Sequence, residues 1–330
     1  MLDIIVPTYK NLDALKRTLD TIQPQVNDNI TVTVIDDGSQ LDYSSIREMY
    51  HWIRLYELKE NSGPGNARQY GINHTKEPYF MFIDSGDILY YGAIDKILNT
   101  IQNNSSQIWV YYWPHFQEID NKPSPPTNNR LHGRVYQRDF IVKNDIHFCP
   151  AGSYLNEDIG FNRAIRILIE QDERIHHIQR KLSFDEPIME WTYDEFSITN
   201  SDSGRTVCIQ QNNALALNEI HVFQWARAHH IDADLIEKEI CQIMTEMYYS
   251  VIRVSYEQPQ GLAEAWAGAY KYYTNVFRNN ARLESDCLTS YVSKQITRIY
   301  NKRNKWPNFS RPINFRRFLS KLENQTFDFL

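Results

Sequence analysis

Apolar runs alternate with helical stripes along the first ninety residues. Leu2-Asp-Ile-Ile-Val-Pro-Thr-Tyr9 reads as a short apolar strand stopped by Pro7. From Asn11 to Ile22, the residues Leu12, Leu15, Leu19 and Ile22 recur at spacings of three and four, which predicts a helix with one buried face. Ile30 to Ile35 is β-branched throughout and predicts a second strand, ending in Asp36-Asp37-Gly38-Ser39. A helix over Ser44 to Tyr50 and a strand over Ile53 to Glu57 follow. The loop Asn61-Ser-Gly-Pro-Gly65 then opens a helix over Asn66 to Asn73. A fourth strand, Tyr79 to Ile83, runs straight into Asp84-Ser85-Gly86-Asp87.

Strands alternating with helices predict a mostly parallel sheet with right-handed crossovers. Three strand ends in that sheet are polar: Thr8-Tyr9, Asp36-Asp37 and Asp84/Asp87. All three fall on one edge, where open α/β sheets bind ligands. One acidic strand end is equally well an Asp/Gly turn. Three on the same edge favour a nucleotide site. Carboxylates with no Cys or His beside them in the chain suit a hard cation, Mg or Mn, of the kind that accompanies a phosphorylated substrate.

Five motifs sharpen this reading: Ile5-Val-Pro-Thr-Tyr9, Val34-Ile-Asp-Asp-Gly-Ser39, Asn61-Ser-Gly-Pro-Gly-Asn-Ala-Arg68, Phe82-Ile-Asp-Ser-Gly-Asp87 and Asn156-Glu-Asp158. In their order and spacing the first ~200 residues resemble the family 2 nucleotide-sugar glycosyltransferases, which have the GT-A fold. The resemblance extends to His132-Gly-Arg-Val-Tyr-Gln-Arg-Asp-Phe140, like the short element before an acceptor-side helix. It also takes in Glu190-Trp-Thr-Tyr193 with Ser197-Ile-Thr199, like the segment that closes the catalytic domain.

The resemblance implies a role for each motif. Pro7, Thr8 and Tyr9 would hold the nucleotide base. Asp36 would accept from a pyrimidine N3–H, which favours a UDP-sugar. Asp37 would satisfy backbone amides in the turn. Gly63 and its loop would let backbone pass close to the ligand. Arg68 would reach the base or the diphosphate, or else lie solvated at the surface, and Ser85 would line the donor. Asp84 and Asp87 would bind Mn or Mg, and Asp158 would be the base that deprotonates an acceptor hydroxyl, with Glu157 beside it. On sequence alone, Asn-Glu-Asp ahead of a helix is also ordinary capping chemistry. The family writes Asp-x-Asp where this chain has Gly86. Either Asp87 takes over, or the metal is bound weakly through Asp84, water and the diphosphate, or the protein is metal-free.

The expected protein is therefore an α/β, Rossmann-like GT-A domain over residues 1–205 with an α-helical domain over 206–330. Its expected activity is inverting transfer from a nucleotide-sugar to a hydroxyl. The acceptor would be a bacterial surface glycan or its lipid-linked precursor, or hydroxymethylated DNA bases of phage type. An inactive nucleotide-sugar-binding module and a nucleotidyltransferase are the alternatives; the second lacks a basic, Gly-rich triphosphate loop near the N-terminus. In the C-terminal region, helices are predicted over Asn213 to His230, Asp232 to Tyr256 and Leu262 to Phe277. The middle one carries an apolar stripe of Leu235, Ile236, Ile240, Ile243, Met247, Val251 and Val254. Asn121 to Arg130, rich in Pro and Asn, predicts an irregular loop over the site.

Composition fits a soluble enzyme, with 42% hydrophobic residues, no apolar stretch long enough to span a membrane and no N-terminal signal before the first strand. Four scattered cysteines, Cys149, Cys208, Cys241 and Cys287, read as thiols in a reducing cytoplasm. For a phage-encoded protein that would be the host-cell cytoplasm; a peripheral place at the membrane is the other reading. The net charge is −6, yet no acid lies between Asp286 and Glu323. Lys294, Arg298, Lys302, Arg303, Lys305, Arg311, Arg316, Arg317 and Lys321 fill that segment, interleaved with Trp306, Phe309, Phe315 and Phe318. This is an expected docking patch for an anionic acceptor, either DNA phosphates or a membrane or surface polymer. The plainer alternative is a solvated face.

Overall fold

The computed structural model describes residues 1–104, 106–117, 122–124, 130–192, 202–257, 259–279 and 312–327. The chain divides into two compact units, Met1–Glu195 and Phe196–Leu330.

In the first unit the strands are β1 (Leu2–Thr8), β2 (Ile30–Asp36), β3 (Ile53–Glu57), β4 (Tyr79–Phe82), β5 (Ile88–Leu89), β6 (Val110–Tyr112), β7 (His115–Gln117), β8 (Lys122–Ser124), β9 (Arg134–Gln137), β10 (Lys181–Ser183) and β11 (Met189–Trp191). The helices are α1 (Leu12–Ile22), α2 (Ser44–Met49), α3 (Pro64–His74), α4 (Ala93–Asn103), α5 (Arg138–Lys143) and α6 (Glu157–His176). A seven-stranded sheet has the order β10-β6-β9-β4-β1-β2-β3, parallel throughout except for β9, which runs antiparallel to both neighbours. A second, four-stranded sheet, β5-β11-β7-β8, has no counterpart in the sequence-based expectation. Its strands are two or three residues long, too short to carry a periodic signal.

The elements expected over the first ninety residues are present, with one correction. Pro7 does not stop β1; the strand continues to Thr8, and Pro7 pairs in register with Ile35. The physical reason lies in which side each residue bonds to. Asp37 N–H donates to the carbonyl of Thr8 on the β2 side, whereas Ile83 N–H donates to Ile5 on the β4 side. Residues of a parallel strand alternate sides, so Pro7 faces β4 as Ile5 does. The register with β4 ends at the Ile5–Phe82 pair, so no ladder partner is there to miss the N–H of Pro7. Thr8, Asp36 and the chain leaving Phe82 consequently share one sheet edge. The core beneath them is apolar, with Leu2, Ile4, Val6, Leu15, Leu19, Val34, Met81 and Ile83 all fully or almost fully buried.

The second unit is helical: α7 (Asp202–Ala228), α8 (Ala233–Glu257), α9 (Leu262–Tyr272) continued by a π-helical turn at Tyr273–Phe277, and α10 (Pro312–Asn324). The α8 stripe is buried as expected at Leu235, Ile240, Ile243, Met247, Val251 and Val254. Phe315 and Phe318 belong to this core rather than to a surface patch: they are 4% and 0% exposed, against Tyr248 and Trp266. Arg316 and Arg317 face outward. Lys294, Arg298, Lys302, Arg303, Lys305, Trp306, Phe309, Arg311 and the Ser197-Ile-Thr199 segment lie outside the described residues, as does most of the Asn121–Arg130 loop. Cys149 and Cys241 are buried and reduced. Among the described residues no helix is long and apolar enough to cross a membrane.

Candidate active site

The strand end after β4 is built around a glycine. Gly86 has φ +111°, a conformation that side-chain-bearing residues avoid, so an acid in its place would be strained. The turn is pinned by Thr18, whose hydroxyl accepts from Gly86 N–H at 2.9 Å and donates to the Asp87 carbonyl at 2.8 Å. This turn carries Asp87 inward. Asp87 is 3% exposed, its Oδ1 accepts from Thr192 N–H at 3.2 Å, and its Oδ2 has no hydrogen-bond partner. Burial pushes the Asp87 carboxyl up to about 6 against the pull of His132.

His132 is the residue that sequence reasoning missed. It opens the segment His132–Phe140, whose resemblance implies no role for it. Its Nε2 lies 3.4 Å from Asp87 Oδ2 and 3.7 Å from Asp84 Oδ2. Burial lowers its affinity for a proton, but the two carboxylates outweigh this and hold it above the usual histidine range. Asp84, Asp87 and His132 each offer one donor atom, all within 4.8 Å of one another. Two carboxylate oxygens and one imidazole nitrogen fit a divalent metal of the Mn type. The orphaned, buried Oδ2 of Asp87 is the specific sign of that fit.

Arg68 is buried rather than solvated. Its guanidinium donates to Asp84 Oδ1 and to Glu157 Oε1, each at 2.6 Å. It therefore ties the end of β4 to the first turn of α6. Burial pushes Glu157 up to about 7, with Arg68 opposing. Asp158 is also raised by burial against the pull of Arg68. The cap of α6 is Asn156, at φ 55°, so capping does not consume the Asp158 carboxylate; it accepts only from the adjacent Ile159 N–H at 2.9 Å among the hydrogen bonds identified.

The Gly63–Gly65 loop corrects another expectation. Its glycines make room for protein, not only for ligand. A Cβ on Gly63 would lie 2.8 Å from the Ser153 carbonyl, and one on Gly65 would lie 3.0 Å from Glu157 Cβ. Ser153 binds this loop directly: its carbonyl accepts from Gly65 N–H at 3.0 Å and its hydroxyl from Asn66 N–H at 2.6 Å. Asp37 accepts from Ser62 N–H at 2.9 Å and Gly63 N–H at 2.8 Å, so it holds backbone amides of this loop rather than those of its own turn.

The remaining candidates sit nearby with different degrees of freedom. Asp36 is 1% exposed, and its carboxylate accepts from Ser39 and from the Tyr43 hydroxyl, leaving little capacity for a base. Thr8 and Ser85 hydroxyls are 3.3 Å apart across the strand ends, next to Pro7. Tyr9 and Tyr154 are 42% and 51% exposed, and the Tyr154 hydroxyl donates to the Asn61 carbonyl.

Comparisons with known proteins agree with this architecture. A family model described as "Glycosyl transferase family 2" matches residues 3–158. The teichoic acid poly(glycerol phosphate) polymerase of Staphylococcus epidermidis is 28% identical over 188 residues, 54% of this chain and 23% of that protein. The poly(ribitol-phosphate) β-N-acetylglucosaminyltransferase TarP of Staphylococcus aureus is 27% identical over 113 residues, 32% of this chain and 35% of that protein. Among the first curated relatives, the matched region spans 36% of the relative's length or less. In fold, the chain is similar to S. aureus TarS 1-349 in complex with UDP-GlcNAc, with TM-score 0.65, 14% identity and coverage of 98% of this chain and 92% of that one. The mostly parallel sheet flanked by helices is thus a GT-A-like fold, and residues 3–158, just under half of the chain, match glycosyl transferase family 2.

Proposed function

We propose that this chain is an inverting glycosyltransferase that moves a sugar from a UDP-sugar to a hydroxyl of a phosphate-bearing bacterial surface polymer or its lipid-linked precursor. The carrying observation is the link Asp84–Arg68–Glu157 through the buried guanidinium, which sets a metal-fitting cluster beside the α6 turn that bears Asp158. The UDP-GlcNAc bound to TarS supports the donor, and the polymers named for the two staphylococcal relatives support the acceptor. No comparison favours DNA.

Transfer breaks the bond between the anomeric carbon and the diphosphate oxygen and forms one to the acceptor oxygen from the opposite face. The acceptor proton passes to the Asp158 carboxylate, whose raised proton affinity suits a base. A cation held by Asp84 and Asp87 would supply the charge that offsets the departing diphosphate. Arg68 keeps Asp84 oriented and Glu157 in place. Pro7, Thr8, Tyr9 and Ser85 line the base side; Asp36 and Gly63 support that wall from behind.

The test has two steps. Thermal shifts with UDP-GlcNAc, UDP-glucose and GDP-mannose, with MnCl2 or with chelator, should rank a UDP-sugar with Mn first, since binding to the native state alone raises its stability. UDP release should then be stimulated by poly(ribitol phosphate) or poly(glycerol phosphate) and not by hydroxymethylated duplex DNA. Stimulation by DNA alone would reverse the acceptor assignment, and no shift with any nucleotide sugar would remove the activity.

A further inference from the structure

We propose that His132 is a direct ligand of the divalent cation, so that this chain uses an Asp84–Asp87–His132 centre instead of an all-carboxylate one. The proposal rests on the reading above, in which a cation accompanies the donor, and names the ligand set that reading leaves open.

Three independent observations converge on it. First, residue 86 contributes no ligand. Its φ of +111° reserves the position for glycine, and that same turn delivers Asp87 to the interior. Second, the donor atoms are spare. Asp87 Oδ2 and both ring nitrogens of His132 are buried; Nε2 and Oδ2 face each other at 3.4 Å, too long and misaligned for a good hydrogen bond, and Nδ1 has no partner. At that distance the two are at most a long ion pair, and a cation between them would satisfy both donor atoms at once. Third, Asp84 is divided between two tasks. Arg68 holds Oδ1 at 2.6 Å while Oδ2 faces His132 at 3.7 Å. An outer partner that fixes one oxygen of a ligating carboxylate is the usual support of a metal site.

The chain also fixes the position of His132. The following residue, Gly133, has φ +68°, and a Cβ there would lie 2.2 Å from the Trp113 carbonyl. Trp113 N–H donates to the Gly133 carbonyl at 2.7 Å, which clamps the turn against β6. The imidazole is flanked by His115 and Trp191, at ring centroid distances of 5.2 and 6.1 Å. Replacing one oxygen donor with an imidazole shifts preference away from Mg, which favours oxygen, toward Mn, Co and Zn.

The experiment is pulsed electron paramagnetic resonance of the full-length protein loaded with MnCl2, with and without UDP. Protein labelled with 15N-histidine distinguishes a histidine ligand from backbone nitrogen. A directly bound 14N coupling that becomes a 15N coupling on labelling, is lost in His132→Gln and survives in His115→Gln is the expected result. The Mn dissociation constant should rise at least tenfold in His132→Gln. Bound Mn without a nitrogen coupling, or a coupling that survives in His132→Gln, overturns the proposal while leaving a carboxylate-held cation and the proposed function intact. Absence of Mn binding to the wild-type protein, with or without UDP, overturns it as well. UDP binding and transfer that persist in chelator would then show that glycosyl transfer stands and only the cation fails. Should His132→Gln not fold, His132→Asn takes its place, and a labelled wild-type spectrum without a histidine coupling overturns the proposal by itself.

Discussion

Arg68→Met removes the charge that spans the nearly buried Glu157 and the part-exposed Asp84, and keeps a similar length of apolar stem. The Arg68 side chain is 5% exposed, Glu157 11% and Asp84 38%. Breaking a buried pair from one side costs roughly 3–5 kcal/mol because the partner is left uncompensated. Asp84 is exposed enough for water to screen it, so the lower end, about 3 kcal/mol, is the expected loss. For a unit of this size that is about 6–12 °C in Tm. The loss should depend on pH. Glu157 stands at about 7 in the folded protein, above its ordinary value, because burial outweighs the attraction of Arg68. A raised folded value means stability that is full at pH below the unfolded value and is lost as pH rises toward about 7. Without Arg68 the folded value rises further. The Tm deficit should therefore be larger at pH 8 than at pH 5, where Glu157 can hold a proton in place of the lost cation. Differential scanning fluorimetry of wild type and variant at both pH values measures this. A deficit under about 2 °C at pH 8, or one equal at the two pH values, would refute the reasoning.

Two further outcomes are expected. Asp158→Asn should lower transfer at least about a thousandfold while UDP-sugar binding changes less than about threefold, measured by UDP release and calorimetry; near-normal turnover would move the base elsewhere. Phe318→Ala should cost about 3–5 kcal/mol in urea unfolding, since its ring is fully buried, whereas Arg316→Glu with Arg317→Glu should stay within about 0.5 kcal/mol per residue; equal effects would mean the helix face is oriented otherwise.

The first ninety residues were legible because β1 and β2 are seven residues long and α1 carries one apolar face. Ile53 to Glu57 emerged with the bounds read from sequence, and α1 began one residue later than expected. The second sheet was not legible. β5 pairs with β11 and β11 with β7, partners drawn from segments far apart in the chain. The acids at the end of β4 were legible as a cluster, but not the contacts they make. Asp84 and Asp87 could be picked out from their place at a strand end and Asp158 from the resemblance alone, whereas His132 meets the β4 end only through tertiary packing. Gly63 and Gly65 signalled close approach correctly, yet composition does not say whether a ligand or another loop is doing the approaching.

The contact between Ser153 and the start of α3 has an electrostatic consequence. A helix begins with a partial positive charge carried by its first free amides, which is what many folds aim at a phosphate. Here Pro64 has no amide, those of Gly65 and Asn66 point at Ser153, and that of Ala67 bonds to the Gly63 carbonyl. The dipole end is neutralised from within. A diphosphate arriving at this edge would find no backbone anion hole on α3.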